Sequence, residues 1–379
     1  MVERNSSAGR KLDITGGGRC NILPLSADPE DFGTSSSRNS LRRILRSWSP
    51  EAARAFLEKT AGLPVEPEAG TGKLFPASQQ ARDVRQALLG LALSSGARLL
   101  SGRRVDSVRR GPGGSWEVCS GSVRLAADKV ILATGGCSWP ETGSDGSGFA
   151  MAGALGHHVH PPRPALVPLI SSDPRWSSLA GLTLRVTVMD PAGREISTGN
   201  LLVTHSGFSG PAILDASRLW EGGLRVRWCA RDARSWDELL RSGRGRVLSV
   251  VREEIPERLA VLLMEFAGLD PRLSFSDLRK EGRSALVGAL ASLPLPLAGT
   301  AGWEKAEVTA GGVALEEVRP DTLESRICPG LFLAGEILDC CGPVGGYNLY
   351  WAFLTGRLAG LGASGSSGFG GFGVSYKKR

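Results

Sequence analysis

The 379-residue chain has little of what marks membrane, secreted or metal-binding proteins. No stretch approaches the roughly 18 consecutive apolar residues of a membrane span, and the N-terminus has no basic stretch followed by an apolar core. Neither spanning nor secretion is expected. Seven cysteines, at positions 20, 119, 137, 229, 328, 340 and 341, lack the paired spacing of a zinc site or a disulfide scaffold. An odd number without a leader points to a reducing cytoplasm. Histidines number four, and His157, His158 and His160 come without a carboxylate cluster, so no metal is expected. Single-sign charge runs are also scarce. The net charge is +7 and the pI about 9.2, yet the basic residues, only eight of them lysine, are scattered along the chain. Arg42, Arg43 and Arg46 form the densest group. Scatter of this kind fits a solvated face and attraction for anionic cofactors, and disfavours nucleic acid as a partner. The segment Ser206-Gly-Phe-Ser-Gly210 has the wrong spacing for a hydrolase nucleophile elbow, with no ordered acid and histidine downstream.

What the chain has in excess is glycine, 51 residues, nearly twice the usual share. Much of it falls in three motifs. Leu331 to Ala334 is a short unalternating apolar run, as in a buried parallel strand, and Glu336 follows at its carboxyl end, where α/β sheets bind ligands. Gly345 and Gly346 then precede a helix over 347 to 360, whose N-terminal amides carry roughly half a positive charge. A second buried strand, Lys129-Val-Ile-Leu-Ala-Thr-Gly-Gly136, ends in Thr134, Gly135 and Gly136, with a helix after Ser144 or Asp145 running toward Leu155. Near the start, Gly9-Arg-Lys-Leu-Asp-Ile-Thr-Gly-Gly-Gly-Arg-Cys-Asn21 sets Gly16, Gly17 and Gly18 before Arg19, Cys20 and Asn21, polar donors on a loop open to close backbone approach.

Taken with Gly-Lys-Leu-Phe-Pro-Ala-Ser at 72 to 78, Pro-Ala-Leu-Val-Pro-Leu at 164 to 169, Thr-His-Ser-Gly-Phe-Ser-Gly-Pro at 204 to 211 and Ala-Glu-Val-Thr-Ala-Gly-Gly-Val at 306 to 313, these motifs resemble the BaiN-like family of NAD(P)/FAD-dependent oxidoreductases, also labelled aminoacetone-oxidase-like flavoproteins. The resemblance runs across nearly the whole chain. It implies an α/β fold, with an FAD-binding Rossmann-like domain of the two-dinucleotide-fold type and an inserted substrate domain. It also implies a flavin faced by Gly16 to Asn21, Thr134 to Gly136, Gly335, Glu336, Gly345, Gly346, Tyr347 and Asn348. NAD(P)H is implied as a transient electron donor, and a small organic or steroid-like molecule as substrate.

One departure matters. The family opens with a strand, a Gly-x-Gly-x-x-Gly turn and a helix, about 30 residues that cradle the FAD pyrophosphate, and none of these stands in this sequence. Met1 to Asn5 reads as the tail of the second strand, with Glu3 where an acid binds the adenosine ribose. The expectation is an N-terminally truncated flavoprotein, because the downstream blocks are intact. The alternative is a flavin-free remnant acting as a binding or interaction protein. Milder departures are Cys340, Cys341 and Pro343 in the last turn, and Tyr350 where glutamine is common; these could alter the substrate side of the flavin.

The expected domains are 1–165, the first part of the cofactor domain, 166–303, an inserted unit with a β part and a helical part, and 304–363, the return to the cofactor domain. A disordered glycine-serine tail is expected over 364–379. A three-stranded meander is expected between Arg98 and Val130, and helices over 50–62 and 81–96. Cys20 lacks a partner thiol and reads as structural. His205 is the best general acid or base, because histidine titrates near neutrality and its loop is rich in small polar residues. His157 and His158 read as complements to a helix C-terminus.

Overall fold

A computed structural model describes residues 1–365 as two compact units, Met1–Arg163 with the chain from Val308 onward, and Pro164–Glu307. Among the described residues no helix is long and apolar enough to cross a membrane.

In the first unit the strand Leu331–Leu333 pairs in parallel with Val130–Leu132, Phe332 opposite Ile131. Leu331, Phe332 and Leu333 are buried, as their unalternating sequence demands. The strand Val130–Leu132 departs from expectation. Ile131 is 42% exposed, because among the described residues the strand has one neighbour and its outer face lacks a cover. Near the start, where Met1 to Asn5 reads as extended chain, Val2 bridges Leu100 in parallel. The meander is present as Ser107–Arg110, Trp116–Ser120 and Val123–Ala127. The helices Pro50–Lys59 and Ala81–Ser94 match the expected spans within two or three residues. Phe56 is 36% exposed and meets Trp48 edge-on, while Ala53 and Leu57 carry the burial. The final helix, Tyr347–Ser364, outruns its expected end at Gly360, and its Trp351, Leu354 and Leu358 fill the core. The remainder of the expected tail lies outside the described residues.

The second unit is a seven-stranded antiparallel sheet with five α-helices, the short Pro211–Ala216 and four that follow it. Thr183–Met189 and Glu195–Val203 form its central hairpin, and Leu293–Pro294 forms one edge, where proline costs no ladder bond. Its core is aromatic. Trp176 stacks on Trp228 at 5.4 Å and on Phe266 at 5.6 Å, with Phe208 edge-on at 5.0 Å. The helices Ala233–Ser242, Val247–Val251, Glu257–Phe266 and Lys280–Ala291 cover the expected helical stretch, with Pro256 just ahead of the third.

Candidate functional site

The three glycine-bearing segments of the first unit meet at Glu336. Lys11, from the first segment, donates to its Oε2 at 2.7 Å and to the Ser138 hydroxyl at 2.6 Å. Ser138, just past the Ala-Thr-Gly-Gly strand, donates to Oε1 at 3.0 Å, and the Thr309 amide donates to the same oxygen at 2.7 Å. Burial pushes the Glu336 carboxyl up, but the Lys11 ammonium and the Thr309 bonds outweigh it and hold the group below the usual carboxylate range. The acid expected to receive cofactor hydroxyls therefore has its Oε1 fully engaged by the protein, while Oε2 keeps one lone pair. Sequence reasoning singled out Glu336 but missed Lys11, Ser138 and Thr309. Lys11 and Thr309 lie inside the motif blocks, and only their polarity within glycine-rich stretches marked them.

The approach of these segments depends on missing side chains. A Cβ on Gly136 would lie 2.2 Å from Thr309 Oγ1, and one on Gly148 would lie 1.8 Å from Thr134 Oγ1. Gly346, at φ 88°, caps the last helix, and a Cβ there would fall 2.6 Å from the Leu23 backbone. The helix N-terminus is thus pressed against the chain two residues beyond Asn21.

Within the first segment the helix Arg10–Ile14 runs into a turn, Thr15–Gly18, in which Gly16, Gly17 and Gly18 all have left-handed φ. No atom lies within 4 Å of a Cβ built on Gly17, so this glycine leaves an open face. Beside it, Asn21 Oδ1 is buried with no hydrogen-bond partner. An orphaned acceptor costs about 1–3 kcal/mol when nothing donates to it. The open glycine turn and the waiting carbonyl together fit a planar ring bearing N–H groups, as the isoalloxazine of a flavin does. Arg19 is placed differently from expectation. Its guanidinium stacks on Phe75 and donates to Glu68 at 2.7 Å and to Gln79 at 2.8 Å. Cys20 is buried at φ 59°, and burial pushes its thiol up to about 11, against a lowering bond with Thr15. Burial and the raised value suit the structural reading of this thiol.

The remaining residues divide. Gly335 donates its amide to Thr355 at 2.9 Å and accepts from the Trp351 indole at 3.2 Å. Gly135 has φ 75°. Asn348 spends its side chain on the preceding turn, accepting from Gly342 N at 2.8 Å and donating to Gly342 O at 3.0 Å. Tyr347 meets Phe32 edge-on at 5.7 Å. Tyr350 is buried and donates to the Trp48 carbonyl, so it faces the core and not a substrate. Cys340 and Cys341 are buried too, and Cys341 exchanges both backbone bonds with Gly33. Glu3 accepts from the amide and side chain of Asn5, which in turn donates to Thr142 O at 2.9 Å. Arg4 pairs with Asp145 at 2.5 Å. Burial opposes ionisation of Asp145, yet its bonds to Ser147 and Arg4 hold it down at about 2.

His157 corrects an expectation. Read as a complement to a helix C-terminus, it is tied to partners far along the chain: its buried ring lies between Glu317, 2.7 Å from Nδ1, and the Ser325 hydroxyl, 3.0 Å from Nε2. Ser325 also accepts from the amides of Ile327 and Cys328 and is 2% exposed, so the trio is a sealed brace. In the second unit His205 is exposed at the tip of the turn between Glu195–Val203 and Gly207–Ser209, a turn held by Thr204 Oγ1. No group of three or more metal-ligating side chains gathers among the described residues.

A family model described as the HI0933-like protein Rossmann domain matches residues 1–362. The chain is 31% identical over 381 residues to the 3-dehydro-bile acid delta(4,6)-reductase of Clostridium scindens, covering 96% of this chain and 92% of the relative. It is 28% identical over 371 residues to the ribosomal RNA dihydrouridine synthase of Escherichia coli, covering 94% and 89%. Among solved structures, the 3-ketosteroid-delta4-(5alpha)-dehydrogenase of Rhodococcus jostii matches with a TM-score of 0.49 and 17% identity, over 96% of this chain and 91% of that one. Matched over almost its whole length, the chain belongs to the HI0933-like family of Rossmann-domain proteins, the group that its glycine motifs resemble.

Proposed function

We propose that the protein is an FAD-dependent oxidoreductase that moves a hydride from NAD(P)H, through bound flavin, to a carbon–carbon double bond in a small or steroid-like ring. The observation that carries this reading is the convergence of Lys11, Ser138 and Glu336 from three distant segments, the first of which also carries the open glycine turn and the orphaned Asn21 carbonyl. Flavin, when bound, supplies the hydride chemistry. The residues of this chain bind and orient. Gly16 to Gly18 admit the ring, Asn21 Oδ1 accepts from a ring N–H, and the amides at the start of Tyr347–Ser364 favour the negative charge of a reduced ring. Glu336 keeps the cradle in register through Lys11, and its spare lone pair is open to a cofactor hydroxyl. Glu3 is the candidate for the ribose hydroxyls. His205 is the candidate proton donor to the substrate.

The relatives' names support the choice of a reduction, since one is a delta(4,6)-reductase of a bile acid and the other a dihydrouridine synthase. The second name also offers another acceptor, the uridine of RNA. A reducing cytoplasm suits seven free thiols.

The test is a visible spectrum of the purified protein after incubation with FAD. Bands near roughly 370 and 450 nm that survive gel filtration are expected of a flavoprotein. Asn21→Ala should retain its fold and lose flavin. Protein that stays colourless at saturating FAD overturns the reading and leaves the flavin-free binding protein.

A further inference from the structure

Arg19 precedes two residues held in an unusual setting. Cys20 has φ 59°, a left-handed backbone that a residue with a side chain adopts only at a cost. Asn21 follows with the buried carbonyl to which no described residue donates. Strain of this kind persists where the surroundings over-determine it. Downstream of Asn21 they do so through the backbone: Ile22 N donates to Leu74 O at 2.8 Å, and Leu23 lies opposite Leu74 in the ladder with the strand Lys73–Pro76. Upstream the backbone hold is looser. Arg19 N donates to Gly16 O at 3.3 Å and Cys20 N to Thr15 O at 3.0 Å, and both acceptors sit in a turn whose Gly16, Gly17 and Gly18 have the freedom to move.

The Arg19 side chain supplies the missing fixed point. Its guanidinium lies 4.2 Å from the centre of the Phe75 ring, its Nη2 donates to Glu68 at 2.7 Å and its Nε donates to Gln79 Oε1 at 2.8 Å. Phe75 is buried, and it belongs to the strand that pairs with Leu23, so both ends of the stretch from Arg19 to Leu23 are moored to Lys73–Pro76. Gln79, at φ 56°, is itself left-handed and ties its amide back to Pro76 O at 3.4 Å. One flat face and two donors in fixed directions are used at once, which a guanidinium offers and an ammonium does not. The side chains of Arg19 and Glu68 are 45% and 32% exposed, and an ion pair so open to water adds little to global stability. What these contacts fix is the geometry of the corner.

We propose that Arg19 is a positioning residue: its grip on Phe75, Glu68 and Gln79 holds Cys20 left-handed and so keeps the Asn21 carbonyl presented to a ring N–H of the flavin. The inference rests on the flavin reading above. Arg19 itself touches no ligand, and its charge, already engaged by Glu68, is not the one that meets the phosphates of FAD. Released from the strand pair, Cys20 relaxes toward an ordinary backbone and carries Asn21 away with it.

The experiment is a double-mutant cycle on the dissociation constants of FAD and of riboflavin, which has no phosphate, read by flavin fluorescence with the full chain. Asn21→Ala should weaken both by about tenfold, the size of one lost hydrogen bond. Arg19→Met should weaken both to a similar degree. The double variant Arg19→Met/Asn21→Ala should lie within about twofold of Asn21→Ala alone, because the group that Arg19 places is already gone. Arg19→Lys, which keeps the charge without the fork, should behave as Arg19→Met does. The urea midpoint of Arg19→Met should stay close to that of the parent. If that variant does not fold, Gln79→Gly removes one grip while suiting φ 56°, and its loss should likewise vanish beside Asn21→Ala. Losses that multiply in the double variant, or undiminished affinity in a folded Arg19→Met protein, overturn the proposal. So does a loss for FAD with riboflavin unaffected, which would put Arg19 on the phosphates. A parent protein that binds neither flavin overturns the flavin reading, and this inference with it.

Discussion

The ammonium of Lys11 lies 2.7 Å from a carboxylate oxygen of Glu336, joining residues 325 apart in the chain. Their side chains are 27% and 20% exposed, so the pair is shielded without being sealed. Removing the ammonium leaves a carboxylate with only neutral donors, in a setting that burial already makes unfavourable for charge. Lys11→Met should cost about 2 kcal/mol of stability at pH 7, read as a lower urea midpoint.

The same pair sets a pH dependence. Because Glu336 is held below its unfolded value, its contribution is complete above the ordinary carboxylate range and is lost as pH falls through its own lowered value. The difference in stability between the parent and Lys11→Met should therefore be full at pH 7 and close below about pH 4. A gap that widens on acidification would contradict the assignment.

Two glycines on facing segments should behave oppositely. Gly346→Ala places a methyl 2.6 Å from the Leu23 backbone at φ 88°, and should cost more than about 2 kcal/mol in thermal or urea unfolding. Gly17→Ala, at φ 67° with open space around it, should cost only about 1 kcal/mol. Its effect should fall on FAD retention, measured by absorbance after gel filtration.

Cys20 should resist reagents for thiols. Its value of about 11 keeps it protonated at neutral pH, and it is buried, so 5,5′-dithiobis(2-nitrobenzoate) should reach it only after denaturation. Stability tied to this group is present below the unfolded thiol value near 9 and is lost as pH rises from there toward 11. Mass mapping of labelled peptides identifies the site.

Ser325→Ala removes a hydroxyl that serves His157 and two backbone amides at once. Each buried group left unpaired costs about 1–3 kcal/mol, so this small change should destabilise strongly, by about 2 kcal/mol or more in a urea titration. Flavin binding should be unaffected.

Much of this was legible in the sequence where local rules coincide with the tertiary outcome. The run Leu331 to Leu333 is unalternating because it is covered on both faces, and Gly345-Gly346 marks a helix start because only glycine tolerates the backbone there. Less legible were residues whose role depends on distant partners. Arg19 looked free to meet a ligand, but Glu68 and Gln79, on a neighbouring strand and turn, claim its guanidinium. His157 sits next to a helix end in sequence, and nothing local announces Glu317 or Ser325, 160 and 168 residues away. Asn348 stands just after a diglycine as a ligand-facing amide would, yet its side chain bonds the backbone of its own turn.

The exposed outer side of Val130–Leu132 has a practical consequence. Backbone donors and acceptors along an uncovered edge, with Ile131 beside them, form a template onto which another extended peptide can zip, and charged side chains are what ordinarily discourage this. Concentrated solutions of the purified protein should therefore scatter light increasingly on warming, well before the core melts. Placing a lysine at position 131 should raise that onset while leaving the unfolding midpoint almost where it was.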